Sequence, residues 1–252
     1  ETVLKQVRLS EHVISVSECT KADVMKYLGV ADGNITVIPQ GVDKKYHVIT
    51  DEAAFSVIRK KYRLPDKFFL YLGGFSYHKN LFAMLDGYAL MNERHNNRIP
   101  LIIAGRTDPF FFSELSVYAR KRGVKDKVMF TGFIDENDLP LLYNLAHVFI
   151  FPSLYEGFGL PVLEAMACGC PVACSFSSSL PEIGGDGAVY FSPQDPFDIS
   201  DKLWKLTSDE SFREEVRKKG LLQACKFSWK KTTEKTIKVY ETVGEKNITA
   251  NI

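Results

Sequence analysis

In the stretch Glu156-Gly157-Phe158-Gly159-Leu160-Pro161-Val162-Leu163-Glu164, two glutamates, two glycines and a proline fall within nine positions. Glycine leaves nearby backbone N–H groups unobstructed, and Pro161 suits a first helical position, where its missing N–H costs nothing. A helix beginning at Leu160 would carry Glu164 about 6 Å along its axis, at 1.5 Å rise per residue. A phosphate could then rest on amides at the helix start while Glu156 and Glu164 hydrogen-bond hydroxyls beside it, as in holding a sugar and a ribose. The plainer reading, that Glu164 only complements the helix dipole, leaves the other four residues unexplained.

A second loop, Gly73-Gly74-Phe75-Ser76-Tyr77-His78-Lys79-Asn80, has the same character. Its glycines would let a ligand approach, and Lys79 offers a point charge suited to phosphate. It matches neither the G-x-G-x-x-G nor the P-loop spacing, so alone it is equally a glycine turn with a solvated lysine. Gly132-Phe133-Ile134 could shape a flat pocket for a base, and Gly105-Arg106 is a further candidate. His12, His47, His78, His95 and His147 are scattered. Cys19, Cys168, Cys170, Cys174 and Cys225 are an odd set without paired C-x-x-C spacing, which favours small buried hydrophobes in a reducing compartment over metal ligands. Asp135 and Asp138 fall in an expected helix cap and make a poor metal pair; no metal or cofactor is expected.

Short β-branched runs alternate with longer amphipathic ones. Strands are expected at 12–17, 35–39, 68–73, 100–104, 127–131, 148–151, 171–174 and 188–191, and helices at 21–28, 51–62, 80–93, 112–122, 137–145 and 160–167. Strands such as FFLYLGG, LIIAG and HVFIFPS are apolar on both faces, as in an α/β doubly wound, Rossmann-like parallel sheet covered by helices. Ligands in such sheets lie beyond the carboxyl ends of the strands, where all four candidate loops fall. Successive helices follow at 196–207, 210–225 and 229–243, and the Pro- and Gly-bearing VIPQGVD reads as a connector.

With 252 residues, 32 Lys+Arg against 31 Asp+Glu, 45% hydrophobic and 25% charged residues, the chain has an ordinary globular composition. Near-zero net charge argues against nucleic acid as a partner. No apolar run approaches the ~20 residues that cross a bilayer, and the first residues lack a signal-peptide pattern, so a cytoplasmic location is expected. Arg120, Lys121 and Arg122, and Arg217, Lys218 and Lys219, could touch the inner face of an anionic membrane, although short basic runs are usually solvated faces.

The segments VSECTKAD, ITVIPQGVD, YLGGFSYHKN, LIIAG, VMFTGFIDENDLPLLYNLAHVFIFPSLYEGFGLPVLEAMACGCPVA and SSSLPEIGGDGAVYFSP closely resemble the C-terminal donor-binding domain of GT-B glycosyltransferases, specifically glycosyltransferase family 4, the group 1 transferases. The most specific element is E-x7-E, from Glu156 to Glu164. The resemblance implies metal-independent, retaining transfer of a hexose from a nucleotide diphosphate sugar, GDP-mannose or a UDP-hexose, to a glycan or lipid-linked glycan in polysaccharide biosynthesis. It places Glu156 on the donor sugar's hydroxyls, Glu164 on the ribose and Lys79 on the diphosphate. Amides of Phe158, Gly159 and Leu160 would meet sugar and phosphate, Phe133 and Ile134 the base, with Gly73, Gly74, Ser76, Gly132 and Gly157 completing the donor loops. One departure is Gly74, where the family commonly has an arginine; Arg106 is the expected substitute.

The same resemblance divides the chain into 1–36, a terminal βα piece of an N-terminal acceptor domain otherwise missing; 37–228, the donor-binding domain; and 229–252, a helix crossing back. Such a chain should bind donor but transfer little. A catalytically silent nucleotide-sugar-binding module, or a subunit of a two-chain enzyme, is the alternative. An epimerase would need acid and base residues that are not evident, and the absent glycine fingerprint disfavours a dehydrogenase.

Overall fold

A computed structural model describes residues 2–106 and 109–250. The chain opens with α1 (Thr2–Leu9), β1 (Val13–Ser15), α2 (Glu18–Leu28) and β2 (Ile35–Val37), then α3 (Glu52–Tyr62). The main alternation follows: β3 (Phe69–Leu72), α4 (Leu81–His95), β4 (Leu101–Ala104), α5 (Pro109–Lys121), β5 (Val128–Gly132), α6 (Leu139–Leu145) and β6 (Val148–Phe151). It continues through α7 (Leu160–Ala167), β7 (Val172–Ser175), α8 (Leu180–Gly184) and β8 (Ala188–Phe191), and closes with α9 (Pro196–Ser208), α10 (Glu210–Ala224) and α11 (Trp229–Ala250). All eight expected strands form. Helix α2 starts earlier than expected because Ser17 caps it, accepting from the Thr20 N–H.

Six strands make one parallel sheet in the order β5-β4-β3-β6-β7-β8. From β3 the chain steps outward to β5, returns to place β6 against the other side of β3, then steps away to β8. Right-handed crossovers therefore put the helices of the two halves on opposite faces, and the order reverses between β3 and β6. Strands β4, β6 and β7 are buried along their whole length, which explains their lack of polar alternation. This is the α/β doubly wound sheet expected from the sequence. Its reversal point opens a crevice between the loops after β3 and β6.

Three glycines line up at the carboxyl ends of β3, β4 and β5. The Gly73 N–H donates to Ala104 and the Gly105 N–H to Gly132. A Cβ on Gly105 (φ 141°) would stand 1.9 Å from the Gly73 carbonyl oxygen, so this edge closes only with glycine there. Strands β1 and β2 form a separate two-stranded parallel sheet. The connector after β2 meets the start of α11, where a Cβ on Gly41 would fall 2.0 Å from the Trp229 nitrogen, and Thr232 Oγ1 donates to Pro39.

Candidate functional site

The two loops singled out by composition face each other across the reversal point. Lys79 ends a short 3-10 turn after β3, and its Nζ lies 2.6 Å from Glu156 Oε1 in the loop after β6. Both side chains are mostly buried, at 18% and 16% exposure, and the ammonium sits 5.4 Å from the Phe151 ring centroid. Asn80, at φ 58°, ends that turn and donates to the carbonyls of Pro152 and Pro193, while Leu154 N–H donates to His78. The Pro152 and Leu154 bonds tie the lysine loop to the glutamate loop, and the Pro193 bond ties it to the turn after β8. The Tyr71 hydroxyl donates to Gly74, and Ser76 Oγ pairs with His78 Nδ1 at 3.1 Å.

Helix α7 begins at Leu160, with Gly159 at φ 114° in the cap position and Pro161 in the first turn. No side chain caps it, so its first N–H groups remain the natural seat for an anion. A Cβ on Gly159 would meet Leu180 at 2.8 Å, so glycine here serves both conformation and space. Ser177, Ser178 and Ser179 brace the loop from behind. Ser177 Oγ donates to Ser153, Ser178 Oγ accepts from the Glu156 N–H, and Ser179 Oγ shares its proton between the carbonyls of Glu156 and Phe158.

Glu164 is held differently from Glu156. The Tyr143 hydroxyl donates to Glu164 Oε2 at 3.0 Å, and the Tyr46 hydroxyl lies near the same carboxylate. Burial raises the Glu164 carboxyl above its ordinary value, although the two hydroxyls pull the other way. A half-buried carboxylate oriented by a phenol keeps lone pairs that can accept from hydroxyls. On the far side of β3, the Arg106 guanidinium lies 4.9 Å over the exposed Phe133 ring, while Ile134 is buried. Arg106 therefore stacks on the residue expected beneath the base.

The structure thus joins Lys79, Glu156 and the loop Gly157, Phe158, Gly159 and Leu160 at one crevice, and groups Arg106 with Phe133. Gly74 is exposed, with nothing within 4 Å of where its Cβ would stand. Sequence reasoning missed Tyr46, Tyr143 and the three serines, whose hydroxyls carry no motif of their own. The cap expected from the aspartates is half right. Asp135 Oδ1 accepts from the Asn137 N–H, whereas Asp138 turns its carboxylate to Lys61 at 2.6 Å and Tyr62 at 2.7 Å instead of capping α6.

Burial pushes the Cys168 thiol up to about 12 and those of Cys170 and Cys174 higher still, as for inert core cysteines. Among the described residues, no group of His, Cys, Asp and Glu is arranged to hold a metal, and no helix is long and apolar enough to cross a membrane. The basic runs are partly neutralised: Arg122 pairs with Asp86, Arg217 with Glu214 and Lys219 with Glu215.

Residues 55–223 match the family model described as glycosyl transferases group 1. Among curated proteins, the serotype-specific mannosyltransferase WbdA of Escherichia coli is 34% identical over 93% of this chain, which spans 29% of that protein. The O-antigen chain mannosyltransferase B of Escherichia coli is 32% identical over 91% of this chain and 60% of its own length. The chain therefore spans between under a third and three fifths of these relatives. Among solved structures, sucrose-phosphate synthase from Thermosynechococcus elongatus superposes with a TM-score of 0.82 at 23% identity, over 96% of this chain and 60% of that one. Anabaena Alr3699/HepE in complex with UDP and glucose gives a TM-score of 0.82 at 20% identity, over 97% of this chain and 67% of that one. These two support the GT-B fold.

Proposed function

The chain belongs to the group 1 glycosyl transferases, and from that premise we propose that it is the donor-binding part of a retaining mannosyltransferase that uses GDP-mannose. The observation that carries this is the Lys79–Glu156 pair at the mouth of the crevice, beside the uncapped start of α7. In this reading the diphosphate rests on the amides of Phe158, Gly159 and Leu160 and draws the Lys79 ammonium toward it. Glu156, released from the lysine, accepts from the sugar hydroxyls. Glu164, steadied by Tyr143, accepts from the ribose. Phe133 and Ile134, with Arg106, line the base.

The chemistry is charge stabilisation. As the C1–O bond to the diphosphate breaks, negative charge grows on the leaving oxygen beside a fixed cation and fixed N–H dipoles. The acceptor hydroxyl forms the new C1–O bond on the same face and gives its proton to the departing phosphate. The configuration is kept, and neither a protein nucleophile nor a metal is required. Mannose is favoured over other hexoses because both curated relatives named above are mannosyltransferases. By the same analogy the acceptor is a growing glycan, or a lipid-linked one at the inner face of a membrane. It would be held by a further domain, for which the greater length of these relatives leaves room.

Calorimetric titration with GDP, UDP, GDP-mannose and UDP-glucose tests the reading. Binding of the guanosine ligands, weakened in Glu164→Ala, is expected. Binding of the uridine pair alone would replace the donor, and binding of none would remove the donor-site reading.

A further inference from the structure

Three consecutive peptide groups of the glycine loop are oriented by hydroxyls, and the middle one is held from the N-terminal βα unit. The Gly157 carbonyl accepts from Ser17 Oγ at 2.7 Å and from Thr20 Oγ1 at 3.0 Å, across more than 130 residues of sequence. The carbonyls on either side, of Glu156 and Phe158, are taken by Ser179 from the start of α8. All peptide bonds among the described residues are trans. In a trans peptide the N–H points opposite to the C=O of the same unit. Fixing the Gly157 carbonyl toward α2 therefore aims the Phe158 N–H away from α2, and Ser179 likewise fixes the N–H groups of Gly157 and Gly159.

A loop flanked by two glycines has little preference of its own for that arrangement. The hydroxyls supply it. Ser17 is fully buried, and its position is set by capping α2, where its Oγ accepts from the Thr20 N–H. The same seam is pinned at two further points: the Tyr155 hydroxyl donates to Asp23, and the Glu18 N–H donates to the Glu182 carboxylate at 3.0 Å. The βα unit thus grips the loop at Tyr155 and Gly157 and holds α8 through Glu182.

We propose that Ser17 and Thr20 are positioning residues for anion binding, holding the Gly157 carbonyl so that the Phe158 amide stands ready to donate to the donor's diphosphate. This rests on the reading of the crevice as a donor site. It adds that the N-terminal βα unit sets the polarity of that site, so that seating of the unit and binding of the diphosphate are coupled.

The test compares wild type, Ser17→Ala/Thr20→Val, Thr20→Val and Thr20→Ser by titration with the nucleoside diphosphate that wild type binds and with the matching nucleoside, alongside thermal melting. Thr20→Val leaves the Ser17 cap intact, so it remains informative where the double variant melts early. The expected result is diphosphate affinity about 10-fold lower in the double variant and several-fold lower in Thr20→Val, near wild type in Thr20→Ser, with nucleoside affinity unchanged. Unchanged diphosphate affinity, or equal loss of nucleoside and diphosphate, would overturn the positioning role and leave a merely structural seam. A wild-type chain that binds no nucleotide overturns the donor-site reading itself, and the inference with it.

Discussion

Lys79 Nζ and Glu156 Oε1 stand 2.6 Å apart, bridging the loops after β3 and β6, the two strands between which the sheet reverses its order. The two residues are 77 positions apart in sequence. Each neutralises the other in a crevice where both are largely withdrawn from water. In the proposed reading the bridge is a resting arrangement that a diphosphate and a sugar would part.

Removing either partner should reveal that dependence. Lys79→Ala leaves Glu156 without its cation, and a loss of about 1–3 kcal/mol is expected, between the values for exposed and buried pairs. Diphosphate affinity should fall about 10- to 100-fold, while affinity for the bare nucleoside holds. Chemical denaturation and calorimetry check the two parts separately.

Gly74 offers a gain-of-function experiment. Its Cβ position is open and its backbone lies outside the left-handed region, so an arginine fits without strain. Gly74→Arg should raise diphosphate affinity about 10-fold through a charge-assisted contact. If Arg106 now supplies part of that cation, Arg106→Ala will cost more in wild type than in the Gly74→Arg background. Equal costs in the two backgrounds would confine Arg106 to its stacking on Phe133.

Glu164 is held at the expense of stability. Its folded carboxyl is raised above the ordinary value, chiefly by burial. A raised carboxylate favours folding fully below the unfolded pKa of about 4.3, and the benefit is lost as pH rises through the folded value. Glu164→Gln should therefore raise the melting temperature at pH 7, with the gain shrinking toward pH 4, while donor affinity falls. A melting temperature lowered at pH 7 would show that the Tyr143 bond outweighs the burial.

His147 gives an opposite pH signature, away from the site. Burial first, then the charges of Arg213 and Lys67, lower its pKa from 6.5 to about 4, and its Nε2 is buried without a partner. The native state therefore resists protonation. Stability should be unaffected above pH 6.5 and fall as pH drops from there toward 4, by about 2 kcal/mol after allowance for partial exposure. Denaturant midpoints across that range should flatten in His147→Gln, relative to wild type.

Strands buried on both faces are legible because no polar alternation obscures them, as at 148–151, and the edge strand 188–191 has its expected bounds although alternate residues are only half-buried. Helix α7 was legible because Gly159 and Pro161 mark its start, and the donor loop because charge and glycine concentrate there. Helix α8, only five residues long, and α1, only eight, have too few turns to show a clear period. What holds the site was not legible. The Tyr46 and Tyr143 hydroxyls beside Glu164, the Ser177, Ser178 and Ser179 brace, and the Ser17 and Thr20 grip on Gly157 are contacts between distant segments. Hydroxyls are common enough that only the fold says which of them matter.

The most direct measurement is a crystal structure of the chain with GDP-mannose bound. The expected result has the diphosphate on the amides of Phe158, Gly159 and Leu160, with Lys79 Nζ moved from Glu156 to a phosphate oxygen at about 2.8 Å. A nucleotide lying instead in the cleft of about 500 Å³ between His12, Thr36 and the lysines of α11, Lys235 and Lys238, with Lys79 still on Glu156, would contradict it.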